Sequence, residues 1–275
     1  MAQRVVSDDE APRLGEERST STAVRSVEKA IDILDLLVKE KNGLRLSEVA
    51  ERLEMSPSTA HHLMATLKGR GLVSQTSRSK AYRIGYRLLA MAREVLNETE
   101  VYPAAIGPAE ALRDRSGETT YLTVFQEREI VTILTLDGRG PIQARRVFRP
   151  AGTNLHSTAS GKLFLANLPA AHRERLLATL DLTPFTPHTV TDLDALRVEL
   201  ERVREQGFSE DRQEDFVGLQ CIAAPVVDAH GACVAAISVS FPAAPESRTR
   251  ELIGQVRSTA ASVSDNLCGA NAHTL

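Results

Sequence analysis

MSPSTAHHLMATLKGRGLV, residues 55–73, is the stretch on which the reading of the fold turns. Ser56 is a strong N-cap, and Pro57 suits the first helical position, where its missing N–H costs nothing. Ala60, Leu63, Met64 and Leu67 fall on one face of the helix so begun, and Gly71 stops it. At about 100° per residue the opposite face carries Ser58, His62 and Ala65, flanked by Thr59 and Thr66. A helix that only packs needs an apolar face and a solvated one. A helix that reads a DNA groove also needs short polar side chains near its N-terminus and positive charge close by. Ordinary helix-start chemistry alone would also place Ser58 and Thr59 here. His61 and His62 point about 100° apart, a poor arrangement for sharing a metal.

The flanking segments favour the groove reader. Upstream, Val24, Val27, Ile31, Leu34 and Val38 repeat at helical steps and predict a helix with that apolar face, closed at Asn42-Gly43. LRL (44–46) is a short extended link, and Ser47 then caps SEVAERLEM, with Val49, Ala50 and Leu53 turned inward. Downstream, LVSQTSRSKAYRIG alternates and turns at TSRSK, which predicts a β-hairpin with a basic tip. Three helices and a hairpin are the order of a winged helix-turn-helix.

Charge points the same way. The chain carries a formal net charge of -3, yet residues 55–93 hold Lys68, Arg70, Arg78, Lys80, Arg83, Arg87 and Arg93 without one Asp or Glu. A basic block in an acidic chain is a surface for a polyanion. Its plainer reading is a solvated face. Together these observations nominate Ser56, Ser58, Thr59, His62, Thr66, Lys68, Arg70, Arg78, Lys80 and Arg83 as DNA contacts. The last five are placed for phosphates or the minor groove.

The 275 residues suit two domains, and 42% hydrophobic with 25% charged residues is ordinary for a soluble globular chain. Residues 1–22 are polar and aperiodic and predict a disordered tail. The winged helix-turn-helix then occupies 23–85, a linker helix 86–100, a second domain 101–268, and a short tail 269–275. The second domain reads as α+β. A helix runs to about residue 115. ETTYLTVFQ, EIVTILTLD and QARRVF follow as strands around a DGRGP turn, with helices at 158–167, 170–180 and 192–206. A CIAAPVV/ACVAAISVSF hairpin and a closing helix at 247–267 complete it. Cys221, Cys233 and Cys268 lack ligand spacing. No apolar leader or spanning segment occurs, so the expected location is the cytoplasm, with no membrane partner, metal or cofactor.

Enzyme signatures are missing. The chain has no GxSxG, HExxH or GxxxxGK[ST], and the residue three before Lys162 is Ala159, so SxxK fails too. His156, His172, His188 and His230 are scattered, with no carboxylate at a telling spacing. A non-enzyme is expected.

SVEKAIDILDLLVKEKNGLRLSEVAERLEMSPSTAHHLMATLKGRGLV with YRIGYRLLAMA, then NLHSTASGKLFLANLP and EQGFSEDRQEDFVGLQCIAAPVVDAHGACVAAISVS, resemble the IclR family of bacterial transcriptional regulators, over about residues 23–268. The resemblance implies a winged helix-turn-helix, a linker helix and a GAF-like effector-binding domain. It also implies a homodimer or homotetramer on a partly palindromic double-stranded operator, acting as repressor or activator. Many members have Arg where this chain has His62.

By position, the resemblance nominates Ser160, Gly161, Asp211, Cys221, Ser238 and Ser240 as effector contacts, for a small organic or aromatic acid. Hydroxyls and N–H groups at the start of the 158–167 helix suit a carboxylate. Ser238 and Ser240 alternate with Val239 and share a sheet face. Asp211 would repel an acid, and so is expected to hold a hydroxyl, an amide or a backbone N–H. The plainer readings are helix-start packing for Ser160 and Gly161, a small buried hydrophobe for Cys221, and an exposed acidic run for Asp211. Arg145, Arg146 and Arg149 form a rival anion clamp. The competing function is a DNA-binding protein whose second domain only oligomerises.

Overall fold

A computed structural model of the chain describes residues 24–126, 128–140 and 154–271. They divide into two compact units at Ala92/Arg93. The expected tail at 1–22, the QARRVF strand and the Arg145, Arg146 and Arg149 clamp lie outside the described residues.

The first unit contains α1 (Arg25–Lys39), α2 (Leu46–Arg52), α3 (Pro57–Gly69), β1 (Val73–Gln75) and β2 (Tyr82–Ile84). Its core joins Ile33 and Leu37 of α1, Val49 of α2, and Ala60, Met64 and Leu67 of α3 with Val73. Burying each of the larger of these side chains is worth about 1.5–3 kcal/mol. The hairpin pairs Val73 with Ile84 and Gln75 with Tyr82. Leu44 and Tyr82 exchange backbone hydrogen bonds of 3.0 and 2.7 Å, which ties the α1–α2 link to the wing.

Two local expectations need correction. Of the stripe Val24, Val27, Ile31, Leu34 and Val38, Leu34 packs against the core, but Val24, Val27, Ile31 and Val38 do not face it. These residues are 60, 54, 52 and 68% exposed, while Ile33 and Leu37 are buried. The helix carries two apolar stripes, and helical spacing alone does not say which of them meets the core. Ser47 is not a cap either, since α2 begins one residue earlier and Arg45 holds the cap position. There the Glu48 carboxylate accepts the Arg45 N–H at 2.6 Å.

α4 (Tyr86–Glu98) crosses the division between the units, and α5 (Val101–Ser116) follows. Pro108 sits inside α5 and has no N–H for the Ala104 carbonyl. Asn266 supplies the missing donor at 3.1 Å.

The second unit is built on an antiparallel sheet in the order β4-β3-β7-β6-β5. Its strands are β3 (Thr119–Gln126), β4 (Glu129–Leu136), β5 (Ser209–Arg212), β6 (Leu219–Val227) and β7 (Cys233–Pro242). Leu122, Ile222, Ala224, Ile237 and Val239 turn one face towards α5 and α9 (Glu246–Asn271). Ala223 and Ala236 turn the other towards α6 (Ala159–Asn167), α7 (Ala170–Leu177) and α8 (Leu193–Gln206). The α+β expectation holds. β5 was not foreseen, and α9 runs to Asn271, into the segment expected to be a tail.

Gly43 has φ +71, and a Cβ there would lie 2.4 Å from the Tyr82 carbonyl oxygen. Gly43→Ala therefore combines left-handed strain with a backbone clash, and should cost the first unit about 2–4 kcal/mol. Thermal unfolding should show an early transition for the first unit, with that of the second unchanged.

Candidate functional site

The α3 surface is assembled by its cap. Ser56 Oγ accepts the Thr59 N–H at 3.1 Å and meets the Thr59 and Ser58 hydroxyls at 2.8 and 3.1 Å. Thr59 is half-buried in this cluster, whereas Ser58, His62, Ala65 and Thr66 are exposed. The Thr66 hydroxyl donates to the His62 carbonyl at 2.9 Å, and the His61 and His62 rings meet edge to face. At the edge of this face, Lys68 Nζ donates to Gln75 Oε1 at 2.8 Å, which joins α3 to the wing. Arg83 donates twice to the Asn42 carbonyl at 3.3 Å, and Arg87 donates to the Arg70 carbonyl at 2.9 Å. Lys68 and Arg83 thus brace the surface as well as charging it. Arg70, Arg78 and Lys80 are exposed, and no hydrogen bond among the described residues uses their side-chain nitrogens.

In the second unit, the strand register creates two polar rows. Thr119, Ser240, Cys221 and Asp211 are successive partners across β3, β7, β6 and β5. Tyr121, Ser238, Ala223 and Ser209 form the next row. Partners directly opposite sit with Cβ atoms about 5 Å apart. The start of α6 closes over these rows, with Ser209 Oγ donating to the Ala159 carbonyl at 2.8 Å. Between them is a cleft of about 420 Å³, its open mouth included, lined by Ser160, Asp211, Cys221, Ser238 and Ser240 together with Tyr121, Asp215 and Phe216. Of this, the space open to a water-sized molecule is only about 30 Å³, below the ~300–1,000 Å³ of typical small-molecule sites. Ser240 Oγ is buried and has no hydrogen-bond partner among the described residues.

Five of the six residues nominated from the sequence come together here. Gly161 does not line the cleft. Its N–H donates to Thr158 Oγ1 at 3.2 Å, and a Cβ on it would stand 2.3 Å from the Leu155 carbonyl oxygen. It is a glycine so that α6 can press against its own approach.

Asp211 is not in an exposed acidic run but 2% accessible. Its Oδ1 accepts the N–H groups of Glu214 and Asp215 at 2.7 and 3.4 Å. Burial pushes its carboxyl up to about 7. The charges of Glu214 and Asp215 add to that, and the Glu214 N–H and Lys162 oppose it. Lys162, passed over in the sequence, is 1% accessible and pairs with Glu214 at 2.6 Å and Glu199 at 3.4 Å. Burial pushes the His156 imidazole down, against its Nε2 bond to the Thr183 carbonyl at 3.0 Å. No set of three His, Cys, Asp or Glu among the described residues is placed to hold a metal ion. No helix among them is long and apolar enough to cross a membrane.

Asp211 titrates near 3.8 when unfolded and near 7 when folded, so the native chain keeps a proton that the unfolded chain releases. Through this group, stability falls as pH rises from about 4 to about 7 and is flat above. Asp211→Asn should therefore gain on the wild type by a few kcal/mol across that window. Denaturant titrations of both proteins at pH 5 and pH 7.5 check this. An unchanged difference between them would contradict it.

Family models place both units. The model of the IclR helix-turn-helix domain matches residues 26–77, and that of the bacterial transcriptional regulator IclR C-terminal region matches residues 93–265. The HTH-type transcriptional regulator XynR of Escherichia coli is 33% identical over 218 residues, covering 79% of this chain and 86% of its own. The glycerol operon regulatory protein of Streptomyces griseus is 32% identical over 249 residues, covering 89% and 96%. The crystal structure of the Thermotoga maritima IclR superposes with a TM-score of 0.73 at 32% identity, covering 88% of this chain and 98% of that one. These relatives are regulators and not enzymes. The chain belongs to the IclR family of bacterial transcriptional regulators.

Proposed function

We propose that this regulator is a ligand-responsive repressor of a catabolic operon, whose cleft takes a small organic or aromatic acid. The observation that carries the reading is the Ser240 hydroxyl, buried on the cleft wall without a partner among the described residues. An unpaired buried hydroxyl costs about 1–3 kcal/mol, and a bound ligand recovers it. Ser160 at the first turn of α6 and Ser238 beside it extend the polar wall. The first-turn N–H groups suit an anion. A second domain serving oligomerisation alone gives no reason for such a cleft.

On the DNA side, Ser58, His62 and Thr66 enter the major groove of an inverted repeat, with Arg70, Arg78 and Lys80 on phosphates. Self-association as a dimer or tetramer is supported by the exposed stripe Val24, Val27, Ile31 and Val38 on α1, and by Tyr86, Leu89 and Met91 on α4, which are 87, 50 and 54% exposed. Apolar patches of this kind mark association surfaces. In this reading residues 86–100 are the linker. Repression follows simply, because a bound oligomer excludes other proteins from its operator.

A thermal-shift screen against small carboxylic and aromatic acids tests the ligand reading. An effector at a hundredfold excess over its dissociation constant stabilises by about 2.7 kcal/mol. Loss of that shift in Ser240→Val is expected, and a shift that survives the substitution would place the ligand elsewhere. For DNA, Ser58→Ala and His62→Ala should relax sequence preference. Arg78→Ala and Lys80→Ala should weaken binding to all sequences and reduce the salt slope by about 1 each. Anisotropy titrations on specific and random duplexes, with equal losses in all four variants, would contradict the division of roles.

A further inference from the structure

Resting on the acid reading of the cleft, we propose that Asp211 accepts a proton from solvent when the acid binds, and then donates it as a hydrogen bond to the bound carboxylate. The argument begins with charge. Asp211, Glu214 and Asp215 are all buried, at 2, 5 and 4% accessible. The buried cation beside them, Lys162, is engaged by Glu214 and Glu199 at 2.6 and 3.4 Å. Among the described residues that line the cleft there is no Lys, Arg or His, while Asp211 and Asp215 both do. Among the described residues, a further carboxylate in this space meets two like charges and no opposite one. In a site of low polarity that repulsion is removed most cheaply by protonating one of the acids.

Geometry selects Asp211 as the group that changes. Its Oδ1 is occupied by the Glu214 and Asp215 N–H groups, which leaves Oδ2 to carry the proton. Asp215 Oδ1 accepts from Ser157 Oγ at 3.2 Å. The groups packed around Asp211 act in a consistent direction. Glu214 and Asp215 on the following loop disfavour its charge, and Lys162 of α6 favours it but is shared with Glu199 of α8. Cys221 is its partner on β6, and Tyr121 of β3 faces the same cleft. On its own strand, Arg212 is exposed and paired with Glu210 at 2.6 Å. Beyond Asp215, His156 is fully buried, with its Nδ1 unpartnered among the described residues. A carboxyl that titrates near 7 is close enough to neutrality for a ligand to complete the change. The step balances: one proton leaves solvent or buffer, Asp211 goes from carboxylate to carboxylic acid, and its O–H meets the effector's oxygen.

The test is isothermal titration of the full chain with acetate, lactate, glyoxylate and 4-hydroxybenzoate, and with acetamide and 4-hydroxybenzamide as neutral counterparts. Titrations run from pH 5.5 to pH 8.5 in pairs of buffers that differ in ionisation enthalpy. The expected result is an acid that takes up close to one proton at pH 8 and none at pH 5.5, its affinity falling towards tenfold per pH unit above 7. In Asp211→Asn the uptake should vanish and the affinity become independent of pH. Asp215→Asn should retain the uptake, which keeps the assignment testable should the first variant fail to fold. An acid that binds with no proton uptake and a flat pH profile overturns the proposal and leaves the acid reading standing. Amides that bind as tightly as the acids, or no acid binding at any pH, overturn the acid reading and this proposal with it.

Discussion

Strand β7 separates what the second unit buries from what it presents. Along Cys233–Pro242 the side chains alternate, with Ile237, Val239 and Phe241 packed in the core under α5 and α9 and Ser238 and Ser240 on the α6 side. A slip of one residue would send both serines into the apolar core and put isoleucine and valine in the cleft. Pairing on both sides prevents that slip, since β3 and β6 each fix Ser240 to a single partner, Thr119 and Cys221. The cleft is therefore a consequence of register. What the α6 side adds is the start of that helix, with Thr158, Ala159 and Ser160 on the cleft wall, positioned by the Thr158 cap and by the absence of a side chain at Gly161.

The acidic edge of the cleft depends on a second constraint, the buried ammonium of Lys162. An ion pair this deep contributes little net stability, because desolvation offsets most of the attraction. Removing one partner is costly all the same, about 3–5 kcal/mol, because it leaves an uncompensated charge. The pair consequently works as a positional tie: α6 and the turn after β5 cannot part without exposing it. Thr186 and Thr189 reinforce the turn by donating to the Gln213 and Glu214 carbonyls at 2.8 and 2.6 Å.

The sequence was most legible where the cause is local. Ser56 and Pro57 start α3 as their chemistry demands, and the polar face opposite Met64 follows from helical geometry. The alternation that places Ser238 and Ser240 on one face is equally local. Legibility failed where a distant partner decides the outcome. β5, Ser-Glu-Asp-Arg, has no apolar alternation, and its burial comes from β6 and α6. Lys162 reads as an ordinary surface lysine until Glu199 and Glu214, 37 and 52 residues away, are brought to it. α1 carries two apolar stripes, and nothing in its own 15 residues says that Ile33 and Leu37 form the inner one.

A regulator of this design must bind its ligand differently in its DNA-competent and DNA-released states, because equal affinity for both shifts nothing. The most direct measurement is the affinity of the full chain for a duplex that it has itself selected from a random pool, with and without a saturating acid shown by calorimetry to occupy the cleft. The account requires the dissociation constant to change by a factor of about 5–150, with the acid's own affinity changing by the same factor when DNA is bound. An acid that fills the cleft and leaves DNA affinity unchanged would contradict it.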